Sequence, residues 1–319
     1  MIEYIVIILL GVLSGVFTGL IPGIHPNTVI FGSMPLYFYL DIEFLSYLSF
    51  IAGLSVSHTF HDFLPAIFLS APEADAALSS IPGTQMAAEG RGIEAFYYTV
   101  GGGVFSVIVC ILLAPILFLG LESVYGFFEP FMDYLLLFFL VFMIVDADSI
   151  LLAGPVALLA GILGILSFEM PVNQQYILLP VFTGLFAVPA VFRTMEERDS
   201  LPKQKKPEIN TQTAAKGGLL GVIAGIIAGV FPGLGAAAST SFLSPLMNDS
   251  EKEFLAGMGG VNTTDILMSF LAVFILGKAR SGASVALKSL SEIRAPEVFF
   301  LMGGSILAVS VSAPLALRV

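Results

Sequence analysis

Charged residues are scarce in this chain of 319 residues, and tryptophan is absent. Only 12% of the residues are charged, about half the share found in a soluble domain, whereas 57% are hydrophobic. Between Met1 and Phe192 a single cation, Arg91, stands against fourteen carboxylates. A soluble core cannot hold so much apolar sequence, so most of it must face lipid or other membrane helices. The composition therefore predicts an all-α polytopic protein of the cell membrane.

The only cysteine, Cys110, lies in an apolar stretch, which excludes a disulfide framework and a cysteine metal site. The net charge of −11 partly reflects the shortage of lysine and arginine, and nucleic acid is not an expected partner. The first twenty residues have no basic segment ahead of the apolar run, so we do not expect a cleaved signal peptide.

Eleven apolar segments with polar flanks predict about eight to ten membrane crossings. They lie near 2–21, 28–40, 45–69, 95–121, 124–145, 150–168, 176–192, 217–231, 236–247, 254–277 and 296–317. The short segments at 28–40 and 236–247 are predicted to be half-helices, and residues 65–83 are predicted to form a re-entrant hairpin.

The polar segment 193–216 carries two prolines and six of the thirteen lysines and arginines. It is therefore predicted to be a solvated linker between a first membrane repeat at 1–192 and a second at 217–319. Its positive charge predicts a cytoplasmic position, and the cation-free start of the chain predicts an N-terminus outside. The second repeat ends before any counterpart of residues 110–192, so we expect it to be incomplete.

An internal repeat relates the two parts of the chain. The segment "GVLSGVFTGLIPG" at 11–23 returns as "GVIAGIIAGVFPG" at 221–233, with the same glycine ladder and the same Pro-Gly ending. The match continues with a gap, since "AGLSVSHTFHD" at 52–62 aligns with "AGMGGVNTTD" at 256–265. We expect two inverted repeats with broken helices and re-entrant hairpins.

The two Pro-Gly endings predict helices that stop inside the membrane. A helix broken there exposes unpaired N–H and C=O groups, which are tolerated only inside protein or beside a cavity. Inverted-repeat transporters use paired breaks of this kind to bind substrates and coupling ions near the midplane. We therefore expect the two breaks to lie close together and to form a binding site.

The remaining polar residues of the apolar segments gather around the breaks. His58, His61 and Asp62 share one helical face, and ionisable residues within membrane spans are functional candidates by default. The residues expected to bind substrate are Pro22, Gly23, His25, Asn27, Pro232, Gly233, Asn262, Thr263, Lys278 and Arg280. Those expected to couple an ion or proton are His58, His61, Asp62, Glu73, Asp75 and Asp265. Hydrogen bonding that only holds the helices together is the alternative interpretation.

Two charged clusters occupy corresponding parts of the repeats. Glu73 and Asp75 lie in the first, whereas Lys278 and Arg280 lie in the second. A lone charge in a membrane costs about 2.5–3.5 kcal/mol on insertion scales, so opposite charges in one cavity should offset each other. We expect the clusters to pair, and the alternative is two separate surface loops.

These segments resemble the TctA-type membrane subunit of the tripartite tricarboxylate transporters. The resemblance is carried by the two Pro-Gly segments, by "PEADAALSSIPGTQMAAEGRGIEAF" at 72–96 and by "EFLAGMGGVNTTDI" at 253–266. It implies a secondary carrier that takes up carboxylates with an ion gradient, together with a small membrane subunit and an extracytoplasmic binding protein. It also implies substrate contacts at the Pro-Gly breaks.

The leading hypothesis is an ion-coupled carrier of a small organic anion, with no cofactor beyond a coupling Na⁺ or H⁺ and no enzymatic activity. Helix N-termini at the breaks would hold the anion. One alternative is translocation of an anionic lipid head group, such as a polyprenyl phosphate. A second is an intramembrane metalloenzyme with His58, His61 and Asp62 as ligands. A structural scaffold explains the glycine ladders but not the paired breaks.

Overall fold

A computed structural model describes residues 2–71, 80–147, 149–172, 201–231, 234–243, 246–247, 250–279, 281–290 and 295–318, with isolated positions between 177 and 192. Before the linker the elements are α1 (Ile2–Leu20), α2 (Pro26–Tyr39), α3 (Phe44–His61), α4 (Phe63–Phe68), α5 (Ser80–Ala88), α6 (Gly92–Phe128), a 3-10 turn (Glu129–Phe131), α7 (Met132–Asp146) and α8 (Ile150–Phe168). After the linker they are α9 (Thr211–Val230), α10 (Ala236–Leu243), α11 (Glu251–Leu276), α12 (Gly282–Leu290) and α13 (Ala295–Ala316).

Six helical stretches of the described chain are long and apolar enough to cross a membrane. They are Ile2–Leu20, Gly92–Asp146, Ile150–Phe168, Thr211–Val230, Glu251–Leu276 and Pro296–Ala316. Large apolar side chains on α7 and α8 point outward, such as Leu151 with 87% of its surface exposed, as expected where lipid is the solvent. No strand occurs among the described residues. The prediction of an all-α polytopic membrane protein is therefore confirmed.

The first glycine ladder packs α1 against α3, and the two helices run in the same direction. Gly11 lies against the backbone of Phe50, and Gly19, about two turns further on, lies against His61. A Cβ atom at either glycine would overlap these neighbours, so the close approach needs glycine.

The second ladder packs α9 against α11 in the same way. Gly217 lies against the backbone of Glu253, and Gly229 lies against Asp265 and Met268. These helices are also parallel, since the contacts advance along both chains together. Both glycine ladders are therefore packing faces.

Each helix pair packs against a third helix that lies on the other side of the linker in the sequence. α13 packs on α1 and α3, where Ser312 Oγ donates a hydrogen bond to Ser57 Oγ at 3.1 Å. α6 packs on α9 and α11, where Gly102 meets the backbone of Ala256. We call α1, α3 and α13 the first bundle, and α6, α9 and α11 the second bundle. The packed units therefore differ from the sequence repeats 1–192 and 217–319.

The contacts at the helix ends fix the direction of the first bundle. Tyr4, near the start of α1, meets Phe300, near the start of α13, edge to face with ring centroids 4.9 Å apart. At the far end of α13 the carbonyl of Leu317 accepts a hydrogen bond from Tyr97, near the start of α6. The first bundle therefore ends where α6 begins.

The second bundle begins at that same end. The carboxylate of Glu94 on α6 pairs with Lys252 at the start of α11, at 2.5 Å. The N–H of Asn210, which precedes α9, donates to the hydroxyl of Tyr98 at 2.9 Å. The two bundles therefore run in opposite directions, as an inverted repeat requires, while the repeat symmetry itself stays a prediction.

The linker is attached to the turn that precedes α6. The Gln204 side chain accepts a hydrogen bond from the N–H of Gly92 and donates one to the carbonyl of Ala87. The N–H of Lys205 donates to the carbonyl of Gly90, whose φ of 77° favours glycine. Residues 201–210 are largely exposed, yet these bonds hold them at the end where both bundles meet. On which side of the membrane this end lies stays a prediction.

One predicted boundary is wrong. The apolar segments at 95–121 and 124–145 were expected to be separate, but α6 continues to Phe128. The break comes at Glu129–Phe131, where Pro130 lacks the N–H that would extend the helix. A single glutamate, Glu122, does not interrupt the helical backbone.

Candidate functional site

The first predicted helix break is present. α1 ends at Leu20, and Gly23 adopts a φ of 89°, which is strained for any residue with a side chain. α2 then begins at Pro26, and the Nδ1 atom of His25 caps it by accepting a hydrogen bond from the N–H of Asn27 at 3.1 Å. The Pro22-Gly23 motif therefore ends one helix and positions the N-terminus of the next.

The second predicted break cannot be compared in the same detail. α9 ends at Val230 and α10 begins at Ala236, but Pro232 and Gly233 lie outside the described residues. The prediction that the two breaks adjoin stays a prediction.

Polar side chains join the two bundles where α3 crosses α11. Asn262 Nδ2 donates a hydrogen bond to Asp62 Oδ2 at 2.7 Å, across 200 positions of sequence. One turn away, the hydroxyls of Thr59 and Thr263 are 3.2 Å apart. All four side chains are buried. We call these residues the polar crossing, and the structure brings together at it three of the predicted site residues: Asp62, Asn262 and Thr263.

His58 links the polar crossing to α1. Its Nδ1 atom is 3.0 Å from Thr18 Oγ1, and its Nε2 atom is 4.0 Å from Asp62 Oδ2. Thr18 also donates a hydrogen bond to the carbonyl of Gly15 at 3.1 Å. Sequence reasoning missed Thr18 because it interrupts a ladder of packing glycines. A signal was present, since the matching position of the second ladder is Ala228 and offers no hydroxyl.

The other two histidines are His25 and His61. The His25 ring lies 5.5 Å from the His58 ring, centroid to centroid. His61 is fully buried, and its Nδ1 donates to the carbonyl of Ser57 at 2.8 Å, so that ring is held by its own helix. His61 Nε2 has no hydrogen-bond partner within the described part of the chain.

The second bundle has further polar side chains near the crossing. Thr264 Oγ1 accepts a hydrogen bond from Cys110 Sγ at 3.6 Å, and Asp265 lies half-buried beside Gly229. Asn27 of α2 lies against Gly282 at the start of α12, which leaves no room for a side chain at that glycine. Asn27 therefore connects the first break to the second repeat.

Two cavities adjoin these helices. One, of about 320 Å³, lies between α1 and α2 and is lined by Leu13, Ser14, Phe17, Thr18 and Val29. The other, of about 700 Å³, is an apolar groove between α6, α9 and α13. Its walls include the exposed side chains of Ile108 and Ile306, so it opens sideways, but no residue of the polar crossing lines it.

Lys278 lies at the far end of α6. Its ammonium group donates hydrogen bonds to the Glu129 carboxylate and to the Tyr125 hydroxyl, and these bonds raise the pKa of Lys278. It was expected to pair with Glu73 and Asp75, which lie outside the described residues, as does Arg280. That pairing stays a prediction.

Buried ion pairs stand at the linker end of the second bundle. Glu94 is bound by Lys252 and also by Arg91, at 3.3 Å. Glu253 is bound by Lys216 at 2.7 Å. The hydrogen bond from Arg91 to Glu94 raises the pKa of that guanidinium further. None of these residues was singled out as a site, and their role here is to fix α6, α9 and α11 to one another.

A metal centre has no ligand set in the described residues. No group of three or more histidine, cysteine, aspartate or glutamate side chains lies close enough there to hold an ion. The rings of His58 and His61, predicted ligands of the metalloenzyme alternative, instead contact Thr18 and the Ser57 carbonyl.

Two opposed helix bundles that meet at buried polar groups beside a broken helix form a multi-pass membrane protein, and secondary transporters bind substrates at broken helices of this kind. The chain matches the tripartite tricarboxylate transporter TctA family over residues 5–316 and belongs to that family. An uncharacterized protein of Methanocaldococcus jannaschii is 28% identical over 298 residues, covering 89% of this chain and 72% of that protein. No solved structure matches the chain. The resemblance drawn from the sequence motifs is confirmed.

Proposed function

We propose that the protein is an ion-coupled secondary transporter that carries a small, carboxylate-like organic anion across the cell membrane. Membership of a transporter family supports the class of activity. The observation that carries the proposal is the buried hydrogen bond between Asp62 and Asn262. It joins the two bundles close to the α1–α2 break, so a change of charge there acts on the contact between them.

The substrate site of this proposal lies at the first break. The N-terminal end of α2 carries the positive end of the helix dipole, which favours an anion. Pro22, Gly23, His25 and Asn27 shape that end. The cavity between α1 and α2 offers space beside Thr18. From the second repeat, Asn262 and Thr263 complete the site. The other substrate contacts proposed in that repeat are Pro232, Gly233, Lys278 and Arg280.

Coupling to an ion is assigned to the acidic and imidazole groups near the crossing. Ionisable side chains inside a membrane mark ion and proton pathways in transporters. The proposed set is His58, His61, Asp62, Glu73, Asp75 and Asp265. The coupling ion is Na⁺ or H⁺, and no other cofactor is needed.

The family description also implies partners. It names a tripartite system, so we propose that a small membrane subunit and an extracytoplasmic binding protein act with this chain. The linker would then lie on the cytoplasmic side, and the start of α1 outside.

Translocation of an anionic lipid head group is the second candidate. It requires a cavity open to the bilayer, and the apolar groove beside α13 opens sideways. The groove ends away from the polar crossing, which favours the water-soluble anion.

Uptake by purified protein in liposomes tests both candidates. A panel of mono-, di- and tricarboxylates is compared with lipid-linked phosphates, under an imposed gradient of Na⁺ or of pH. We expect gradient-driven uptake of a carboxylate, and its loss in Gly23→Ala, since φ at Gly23 is left-handed. Gly32→Ala is the matched control, because nothing lies within 4 Å of a Cβ at Gly32. Transport of lipid-linked phosphates alone would contradict the proposal.

A further inference from the structure

We propose that the apolar groove between α6, α9 and α13 binds one hydrocarbon chain of an anionic membrane phospholipid, whose phosphate lies at the linker end of the molecule. The groove lies between the bundles, since α13 belongs to the first and α6 and α9 belong to the second. No residue of the polar crossing lines it. The lipid is therefore held between the bundles and not transported, and the proposal does not depend on which anion the protein carries.

The walls of the groove suit a hydrocarbon chain. Of the described side chains that line it, only those of Tyr97, Thr211 and Ser310 are polar. The Tyr97 hydroxyl donates a hydrogen bond to the carbonyl of Leu317, and the Ser310 hydroxyl donates one to the carbonyl of Ile306. Both hydroxyls are thus used by the protein backbone. The rest of the wall is apolar surface that opens sideways, where a membrane offers no water to fill it.

The dimensions of the groove fit a single chain. Along α6 the lining runs from Tyr97 to Ile111, which is about 21 Å at 1.5 Å per residue, or more than half of a hydrocarbon core about 30 Å thick. A volume of about 700 Å³ over that length gives a mean width of about 6–7 Å. An α-helix with its side chains is about 10–12 Å wide. One extended hydrocarbon chain therefore fits the groove, whereas a helix of another protein does not.

The mouth of the groove lies at the end of the molecule that is rich in cations. Ile209 and Leu317 line this mouth, and the exposed side chain of Arg318 follows Leu317. Residues 201–210, which are held at the same end, carry three lysines and one glutamate, Glu208. Basic segments beside membrane helices attract anionic lipid head groups. The charge at the mouth is therefore complementary to a phosphate.

The start of α9 adds to this positive potential. α9 begins at Thr211, which lines the groove, so the positive end of its helix dipole lies at the mouth. The buried carboxylates of this end, Glu94 and Glu253, are each bound by a lysine and offset less of the charge. An anionic head group is therefore favoured over a zwitterionic one.

The absence of tryptophan from the chain allows a direct test. Phe105→Trp places a single tryptophan in the groove, and Phe138→Trp places one on the outer surface of α7, where Phe138 is 55% exposed. Each purified variant is placed in liposomes of phosphatidylglycerol and phosphatidylcholine, with bromine, which quenches tryptophan on contact, on the chains of one lipid or the other. We expect the tryptophan of Phe105→Trp to prefer phosphatidylglycerol at least about fivefold, the factor for one cation near a membrane surface. Phe138→Trp should show no preference.

Two results would overturn the proposal. Equal quenching of Phe105→Trp by the two lipids would show that the groove does not select an anionic head group. Quenching of Phe138→Trp without any quenching of Phe105→Trp would show that something other than a lipid fills the groove. Ile108→Trp, at a half-exposed position of the groove wall, repeats the measurement where Phe105→Trp does not fold.

A change of charge tests where the head group lies. Arg318→Gln in the Phe105→Trp protein should remove most of the preference for phosphatidylglycerol. Lys288→Gln is the matched control, since Lys288 is an exposed cation of α12 and does not line the groove. A preference that stays unchanged in Arg318→Gln would contradict the position assigned to the phosphate.

A change of volume tests whether the chain occupies the groove. Gly101 lines the groove, and a Cβ there meets Ala214 at an ordinary 3.5 Å, so Gly101→Leu fills space that the lipid needs. Phosphatidylglycerol should raise the melting temperature of the unmodified protein more than phosphatidylcholine does, and Gly101→Leu should lose this difference. Gly120→Leu, the same substitution in α6 at a position with open space, should keep it. A difference that persists in Gly101→Leu would place the lipid elsewhere.

Discussion

The two bundles share one packing scheme and differ in chemistry. In both, a glycine ladder brings two parallel helices together, and a third helix is taken from the other side of the linker. At the polar crossing, however, the first bundle supplies Asp62, with His58 beside it, whereas the second supplies Asn262 and Thr263. The bundles therefore share a backbone arrangement and each has an aspartate, Asp62 or Asp265, but the histidines of these helices, His58 and His61, lie in the first bundle.

The bundles differ at their ends as well. In the second bundle α6 and α11 are joined at both ends, by Glu94 with Lys252 and by Glu129 with Lys278. The start of the first bundle is joined by the neutral hydroxyl of Tyr4, which donates to the Glu43 carboxylate. Charges thus stabilise the frame of the second bundle, whereas in the first they lie at the site.

The largest expected effect is a loss of stability when a ladder glycine is replaced, and it should be equal in the two bundles. Gly15→Ala and Gly225→Ala each place a Cβ against atoms of the facing helix, which must move. Overpacking of this kind costs about 1–3 kcal/mol or more, and we expect a similar fall in the thermal stability of both purified variants. Gly126→Ala is the control, because a Cβ there meets nothing within 4 Å. A large effect in one bundle only would show that the shared packing scheme is wrong.

The next largest effect is on the pH dependence of transport, and it should follow a substitution in the first bundle. His58→Asn gives the first bundle the residue that the second carries at the aligned position, Asn262. We expect transport to lose its dependence on a pH gradient while exchange of substrate continues, because the imidazole proposed to take part in the coupling is gone. The double variant with His61→Asn should behave alike. A pH profile identical to that of the unmodified protein would leave the histidines with hydrogen bonding alone.

A smaller effect is expected at the end of the second bundle. Lys252→Met leaves buried Glu94 with Arg91 as its remaining cation. Since Lys252 is itself partly exposed, we expect a loss of about 1–3 kcal/mol in stability and no change in the pH dependence of uptake. Lys206→Met in the exposed linker is the control. A changed pH dependence in Lys252→Met would place this ion pair in the coupling pathway.

The smallest effect concerns the neutral pair of the crossing. Thr59→Val removes a hydroxyl that is 3.2 Å from Thr263 and keeps the volume of the side chain. We expect a loss of about 1 kcal/mol in stability and unchanged coupling to protons. Loss of the pH dependence in this variant would show that the coupling also needs the threonine pair.

Much of this fold could be predicted because it depends on local patterns. A glycine at every fourth position predicts a close helix contact, and Pro22-Gly23 predicts a helix end. The alignment of "SHTFHD" with "VNTTD" placed Thr59 opposite Thr263, and the structure brings their hydroxyls together. These features need only the sequence of one or two helices.

The exchange of α6 and α13 was not predicted, because it depends on contacts between distant segments. α6 carries three consecutive glycines and α13 carries two, and Gly102 meets Ala256 as Gly304 meets Ala52. Ala52 and Ala256 are aligned positions of the repeat. Adjacent glycines alone are too common in membrane helices to reveal such a correspondence.

The ion-pair partners of the charged residues could not be predicted from the sequence either. Lys278 was matched with Glu73 and Asp75, which lie outside the described residues, and that pairing stays a prediction. Among the described residues Lys278 binds Glu129, which follows a helix that was expected to stop at residue 121. When a helix end is predicted wrongly, the positions predicted for the residues that follow it are wrong as well. Thr18 was missed for a different reason, since a hydroxyl on a packing face shows its role only when its neighbour across the helix contact is known.

The central claim, that the polar crossing couples an ion gradient to movement of an anion, is tested most directly by Asp62→Asn in liposomes. Gradient-driven accumulation and substrate exchange at equilibrium are measured for the same preparation, once a transported carboxylate has been found. The account predicts that accumulation is lost while exchange persists, because the substitution removes the charge and keeps the shape of the side chain that meets Asn262. Accumulation equal to that of the unmodified protein would contradict it.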